Sequence, residues 1–513
     1  MSNSVRVLKN TIVLYAKIIS STLIWLYLIR VVLDVLGVED YGIYTLIAGV
    51  IAVLSFVNTA LMSSTQRFLS IALGECNDNK VRGYFSAGMI IHITIALILV
   101  IALESIAPFL FDGFLNIPES RLSVAMQMYQ LMVASTFFTI IGVPYSAAIN
   151  AYEDIWFTGI VQIVGTFLKL GVIILFEVLS TDKLLIYTGW ITFITIAEVL
   201  VQYIWCKVHY SSCCKNNYSL SRSKTLIYEM IGFTGWNTLG AFAVVGRNQG
   251  VTTVLNVFFG PKINGIFGIA NQVDGQLVNF ANTLTAAITP QIIKSEGQGD
   301  RKRLLFLSVF SSKLAFFLSA IFAVPLLLEL PLILDFWLKE VPQYTDLYCR
   351  IILYMFLVCE LYPGLTRGIQ AVGQIKWQQI LTSVVVLMPI PIGIVLYKLG
   401  CPHYAIIYVM LVAQVVSAGI TIYYSKKYYD LPVSKFLRYT IRAVLTFMGA
   451  YLVGYFIDLM MIHTTNSIIR LFVVSATSDI LFVSFYYLFC FTRDEKKMIS
   501  SLTHNLLIKI HKK

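Results

Sequence analysis

The 513-residue chain is 58% hydrophobic and 13% charged, with a formal net charge of +11. Soluble domains carry roughly 25% charged residues, and a water-soluble fold of this size could not hide so much apolar surface. The surplus Lys and Arg sit in short loops and a tail between apolar stretches, which speaks against a nucleic-acid surface and for the cytoplasmic charge bias of a membrane protein.

The apolar stretches are evenly spaced, and each is near the roughly 20 residues a helix needs to cross hydrocarbon. Strands of a barrel would instead alternate over about 10 residues. In chain order the predicted helices are 10–33, 42–62, 85–107, 126–149, 155–177 and 184–206. A second series follows at 228–258, 264–289, 304–328, 346–370, 377–397 and 404–424, and a last pair at 441–461 and 467–491. This is an all-α polytopic membrane protein of about 14 spans, with 12 or 13 as the alternatives. The first stretch is too long for a signal-peptide core and lacks a small-residue cleavage site, so it is read as the first membrane helix.

The domain plan is a six-helix lobe over 1–210, a cytoplasmic linker over 211–227, and a second six-helix lobe over 228–425. An extra helix pair over 426–491 and a basic cytoplasmic tail over 492–513 complete it. With the N-terminus inside, about 25 Lys and Arg fall on the cytoplasmic side and about five outside, the positive-inside pattern. Both ends then lie in the cytoplasm. The cysteines have no CxxC spacing and the histidines no HExxH, so no metal or other cofactor is expected.

The two sixes resemble each other. Leu36-Gly37-Val38-Glu39-Asp40-Tyr41-Gly42-Ile43 opens the second helix, and Phe259-Gly260-Pro261-Lys262-Ile263-Asn264-Gly265-Ile266 opens the eighth. Leu110-Phe111-Asp112-Gly113-Phe114-Leu115 matches Ile333-Leu334-Asp335-Phe336-Trp337-Leu338, and Pro144 with Ile149-Asn150-Ala151 matches Pro363 with Ile369-Gln370-Ala371. Three matches in order indicate a parallel repeat of six helices. Transporters built from two such halves bind substrate between them and expose it alternately.

Arg30, Leu36-Gly37 and Tyr41-Gly42-Ile43-Tyr44, followed by Thr65-Gln66-Arg67-Phe68-Leu69-Ser70, resemble the polysaccharide flippase branch of the MATE-like MOP exporter superfamily. The likeness is greatest to Wzx-type O-antigen and capsule flippases. Its helix plan covers nearly the whole chain, and its specific motifs lie mainly in the first 90 residues. The resemblance implies movement of an undecaprenyl-diphosphate-linked oligosaccharide from the cytoplasmic to the outer leaflet of the bacterial inner membrane. It implies lipid-linked oligosaccharide and membrane lipids as partners, together with polysaccharide polymerase or chain-length proteins. Coupling to an H+ or Na+ gradient is left open. Asn58 departs from the small Gly-rich stretch of many members, and substrate identity does not transfer.

Charges inside spans are functional candidates by default. Here they are Lys17, Lys169, Arg247, Lys313, Arg350, Arg367 and Arg470, with the acids Glu198, Asp274, Glu360, Asp458 and Asp479. Arg350 and Arg470 are near span ends and are discounted. Arg247-Asn248-Gln249 interrupts the first helix of the second half, and Lys17 is comparably deep in the first helix of the first half. In the resembled family these helices line the central cleft. Lys17 and Arg247 are therefore expected to bind diphosphate or sugar acids, with Asn248 and Gln249 bonding hydroxyls. The plainer alternative is a snorkelling Lys17 and an Arg247 neutralised by Asp274.

Asp274, Glu360 and Arg367 are cavity candidates. Glu360 and Arg367, seven apart on one helix, are either an internal ion pair or part of a coupling-ion site. Arg30 and Arg67, near the outer and inner ends of their helices, are gates or interface anchors. Pro144 and Pro363 are hinge candidates or packing kinks.

Three rivals remain. A drug or cation exporter of the same superfamily would favour carboxylates over cations inside the membrane. A lipid II flippase would share the architecture. A membrane glycosyltransferase could use the Glu39-Asp40 pair, but the chain lacks the long outer loops or soluble domain such enzymes usually carry, and no catalytic residues are assigned.

Overall fold

A computed structural model describes residues 55–114, 117–172, 182–214, 220–338, 341–461 and 467–492, together with 176, 495, 496 and scattered positions between 13 and 51. Among the described residues the regular structure is entirely helical. Hydrocarbon offers no partner for a backbone N–H or C=O, so a spanning segment must satisfy these groups within itself. Among the described residues, eight helices are long and apolar enough to cross a membrane, or nine with one bent pair. Large apolar side chains such as Phe472 and Val257 lie outward on these helices, the inverse of a soluble protein. The chain is an all-helical, multi-pass membrane protein. The predicted span 10–33 falls largely outside the described residues, and 42–62 is described in part, through scattered positions and residues 55–62.

The chain divides into two compact units, one over Lys9–Ala241 and one over Phe242–Lys513 with the first eight residues. The first unit holds α1 (Ser55–Gly74), α2 (Asp78–Phe109), α3 (Glu119–Ala151), α4 (Ile155–Leu170), α5 (Lys183–His209) and the short α6 (Ser211–Cys214). Asn77 starts α2 by accepting the Lys80 N–H at 3.1 Å, a side-chain N-cap. α3 is central and packs on α1, α2 and α5. Its Met128, Tyr129 and Val133 pack with Leu103, Phe111 and Leu184, and the Tyr129 hydroxyl donates to the Leu103 carbonyl at 2.7 Å. At one end of α3, Arg121 binds both Asp40 and Asp182. Burial alone would raise the Asp182 carboxyl. The hydrogen bonds from Arg121 and from the Leu184 N–H outweigh it and hold the group below the usual carboxylate range.

The predicted linker at 211–227 is shorter than expected. α7 (Leu220–Gly297) begins inside it, because this stretch contains neither Pro nor Gly to stop a helix. The predicted spans 228–258 and 264–289 join in this one helical run, broken only at Gly260 (φ 78°, ψ −175°). Glycine takes a positive φ without a Cβ clash, so a single residue replaces the expected connecting loop. The division between the units falls within α7, at 241/242.

The second unit continues with α8 (Arg301–Leu328), α9 (Leu330–Trp337), α10 (Thr345–Glu360), α11 (Pro363–Val372), α12 (Lys376–Leu387), α13 (Pro389–Lys398) and α14 (Ala405–Tyr429). α15 (Val433–Met461) and α16 (Ser467–Phe489) form the last pair. α8 is the central helix and touches α10, α11, α15 and α16. Its buried Ser308, Ser311, Ser312 and Ser319 are small enough to let neighbouring backbones approach closely. α11 uses that closeness: a Cβ on Gly364 would overlap the Ser308 carbonyl oxygen.

The last pair is pinned to α8 near both ends. The buried Lys313 ammonium donates to both Glu495 carboxylate oxygens at 2.9 Å and to the Cys490 carbonyl at 3.3 Å. Tyr486 donates to the Lys313 carbonyl at 2.9 Å and pairs with Tyr439 at 2.8 Å. Farther along, Arg470 of α16 meets Glu329 at 3.0 Å and Asp458 of α15 at 3.3 Å. Pairing offsets much of the desolvation that burying these charges costs.

Two outcomes follow for the purified protein. Gly364→Ala should cost about 1–3 kcal/mol by overpacking α11 against α8, seen as a lowered thermal midpoint in detergent. His403, between α13 and α14, contacts Tyr348 through Nδ1 at 3.0 Å, and burial lowers its pKa. The folded state then binds fewer protons than the unfolded one around the ordinary histidine value. This contribution is complete above about pH 6.5 and is lost as pH falls through the folded value. The thermal midpoint should fall between pH 7 and 5, and His403→Gln should make that fall shallower; equal slopes would contradict the assignment.

Candidate functional site

Two polar groups lie inside the helical units. In the second unit, Arg247 of α7 is buried, and its Nε and Nη2 donate to Asn248 Oδ1 at 3.1 and 3.0 Å. Among the described residues no carboxylate lies within ion-pair distance of its guanidinium. Asp274, Cys359 and Tyr362 are within its electrostatic range, and Asp274 is in turn within range of Glu360. Glu360 is buried at the end of α10, and its Oε2 has no hydrogen-bond partner. Tyr362 occupies the break between α10 and α11 and accepts a hydrogen bond from the Gln414 amide of α14.

That break bends the span by 44°. Pro363 at the start of α11 supplies no N–H to continue the α10 ladder. Broken helices at membrane depth are tolerated where they border a polar cavity or packed protein. The bend also separates Glu360 from Arg367. They lie on different helices and form no ion pair, so the expectation of one shared helix face is corrected. Arg367 instead donates to Gln370 Oε1 at 2.9 Å.

The first unit contains a partly open polar cavity of about 270 Å³. Amides of Asn58, Asn150, Gln162 and Gln202, hydroxyls of Thr139, Ser146, Thr158 and Thr195, and the Glu198 carboxylate line it. Gly165 of α4 makes room for that carboxylate, since a Cβ there would overlap Glu198 Oε1. Ser146 donates to Gln202, whereas Asn58 Oδ1 and Asn150 Oδ1 are buried without partners. Lys17 and Lys169 lie within the electrostatic range of Glu198.

Thus Arg247, Asn248, Asp274 and Glu360 fall in one neighbourhood of the second unit, while Gln249 is exposed on α7. Lys17 belongs to the first unit and faces the field of Glu198. Arg67 is buried on α1 with its guanidinium 4.8 Å from the Phe68 ring centre and 4.6 Å from that of Phe233, a cation–π setting. Arg30 lies outside the described residues. Pro144 is buried within the uninterrupted α3, whereas Pro363 stands at a bend. Tyr362, Gln414 and the first-unit cavity were not anticipated. A single Glu198 in an apolar run, with Gln202 four residues on and so on the same face, was the available signal.

No family model matches the chain. The uncharacterized membrane protein EpsK of Bacillus subtilis (strain 168) is 24% identical over 278 residues, which is 53% of this chain and 54% of EpsK. The matched region therefore spans about half the length of that relative. Among solved structures, the outward-facing conformation of a multidrug resistance MATE family transporter of the MOP superfamily aligns with a TM-score of 0.72 at 11% identity. The crystal structure of a MATE point mutant aligns at 0.73 and 12%. A MOP superfamily transporter from Pyrococcus furiosus, described as having a binding pocket of reverse polarity that suggests a different function, aligns at 0.67 and 12%. Each alignment covers 85% of this chain and 97% of the other. The chain has the MATE-like fold.

A buried cation without a carboxylate partner costs stability. Arg247→Met, similar in length but neutral, is expected to raise the thermal midpoint by about 2–4 °C, near 1 kcal/mol for a unit of this size. A drop of several degrees instead would mark Arg247 as a structural residue.

Proposed function

We propose that this protein is a flippase of the MOP superfamily. It moves an undecaprenyl-diphosphate-linked oligosaccharide from the cytoplasmic to the outer leaflet of a bacterial cytoplasmic membrane, by alternating access of two six-helix lobes. The observation that carries the reading is Arg247, buried, free of any ion pair among the described residues and bonded only to Asn248. A guanidinium held this way keeps donors for a diphosphate, which it matches in geometry. The MATE-like fold supports transport in general.

Under this reading Lys17, Asn248 and Gln249 join Arg247 in contacting the headgroup. Asp274 and Glu360 are candidates for coupling to H+ or Na+. Arg30 and Arg67 act at the gates, Arg367 lines the cavity, and Pro144 and Pro363 flex. The termini are cytoplasmic. The protein transports its substrate without modifying it, and polysaccharide polymerase or chain-length proteins work downstream.

Glu198, a carboxylate in the amide-lined cavity of the first unit, favours the second reading, an ion-coupled drug or cation exporter. Lipid II as the cargo is the variant with the same diphosphate. Deletion in a host that makes capsule or O-antigen decides among them. Lipid-linked repeat units should accumulate in the cytoplasmic leaflet, and Arg247→Met should fail to restore surface polysaccharide at normal expression, with Arg247→Lys restoring it in part. Normal surface polysaccharide with altered drug tolerance would overturn the proposal in favour of the exporter.

A further inference from the structure

The last helix pair carries a groove apart from the two polar groups described above. It lies between α15 and α16, has a volume of about 510 Å³, and is lined by Arg442, Leu445, Thr446, Gly449, Phe485 and Leu488, with Phe489 at its end. This is within the roughly 300–1,000 Å³ of ordinary ligand sites. Gly449 leaves its floor open, since a Cβ there would meet nothing within 4 Å.

One face of α15 runs from cationic to apolar. Lys435, Arg438 and Arg442 follow each other at helical spacing, and Leu445 and Gly449 continue the same stripe. All three cations are exposed, and none makes an ion pair among the described residues. Lys496, just beyond α16, donates to the Leu488 carbonyl at 3.1 Å and brings a fourth cation to this end of the pair. The charge asymmetry of the chain puts this end on the cytoplasmic side. Arg442 is nine residues into α15, about 14 Å along its axis, close enough for its side chain to reach toward the headgroup region by snorkelling.

We propose that this groove is a binding site for an anionic phospholipid of the cytoplasmic leaflet. The phosphate sits on Arg442 under the field of Arg438, Lys435 and Lys496, and one acyl chain lies along Leu445, Gly449 and Phe485. The physical match is a cation within snorkelling reach of the headgroups beside an open apolar groove. Clustered cations at the cytoplasmic end of a span attract acidic lipid in this way, and a guanidinium grips a phosphate by two hydrogen bonds. The site depends on the orientation of the chain and is independent of what the protein transports.

The test uses the full-length protein in detergent, titrated with phosphatidylglycerol, phosphatidylcholine or undecaprenyl phosphate and read by native mass spectrometry. Phosphatidylglycerol should bind at least tenfold more tightly than phosphatidylcholine. Arg442→Ala should weaken it roughly fivefold, the contribution of one interfacial cation. Gly449→Leu, whose Cβ has open space within 4 Å and whose branched end would occupy the groove, should remove the bound lipid while the thermal midpoint stays within a few degrees. Phosphatidylglycerol binding unchanged in both variants would overturn the proposal. So would undecaprenyl phosphate displacing phosphatidylglycerol at equal concentration, because the groove would then hold a polyprenyl chain.

Discussion

Everything in this molecule answers to one condition: inside hydrocarbon, a backbone polar group without a partner costs several kcal/mol. Unbroken helices meet that condition, so the places where helices break are where something else must compensate. α7 breaks at Gly260, and the span over α10 and α11 breaks between Glu360 and Pro363. The second break is where polar side chains gather. Tyr362 accepts from Gln414, Glu360 keeps a free buried oxygen, and Asp274 and Arg247 lie within electrostatic range.

Buried charges in the second unit divide into two kinds. Lys313 and Glu495, and Arg470 with Glu329 and Asp458, are closed pairs that hold α15 and α16 against α8. Their desolvation is offset by the attraction of the opposite charge, through hydrogen bonds at Lys313–Glu495 and Arg470–Glu329. Arg247 and Arg367 bond to amides of nearby residues on their own helices. An amide oxygen satisfies one or two N–H donors but leaves the net charge in place. The first kind fastens elements together; the second leaves the cation without an ion-pair partner among the described residues. In the first unit the same contrast separates the closed Arg121 clamp from the partly unsatisfied amides around Glu198.

Much of the fold was legible in the amino-acid sequence because a bilayer tests one property over about 20 residues at a time, and hydropathy reports that property directly. The predicted 85–107, 126–149, 184–206, 304–328 and 404–424 each correspond to an observed helix. The site was legible only in its charges. Arg247, Asp274 and Glu360 are conspicuous in apolar runs, and the structure brings them into one neighbourhood. Tyr362 and Gln414 are unremarkable in sequence, since a tyrosine and a glutamine acquire meaning only from what they face. Glu360 and Arg367 misled, because helical periodicity assumes a continuous helix and Pro363 ends that continuity.

From the sequence alone came membrane residence, helical class and the positions of the intramembrane charges, all properties of single segments in a solvent that penalises polarity. Only the tertiary structure decided which of those charges are closed into pairs and which stay open. It alone bound the last two helices to α8 through Lys313 and Glu495, 182 residues apart in the chain. The reason is physical: partnership between charges is a matter of distance across packed helices, and spacing along the chain does not encode it.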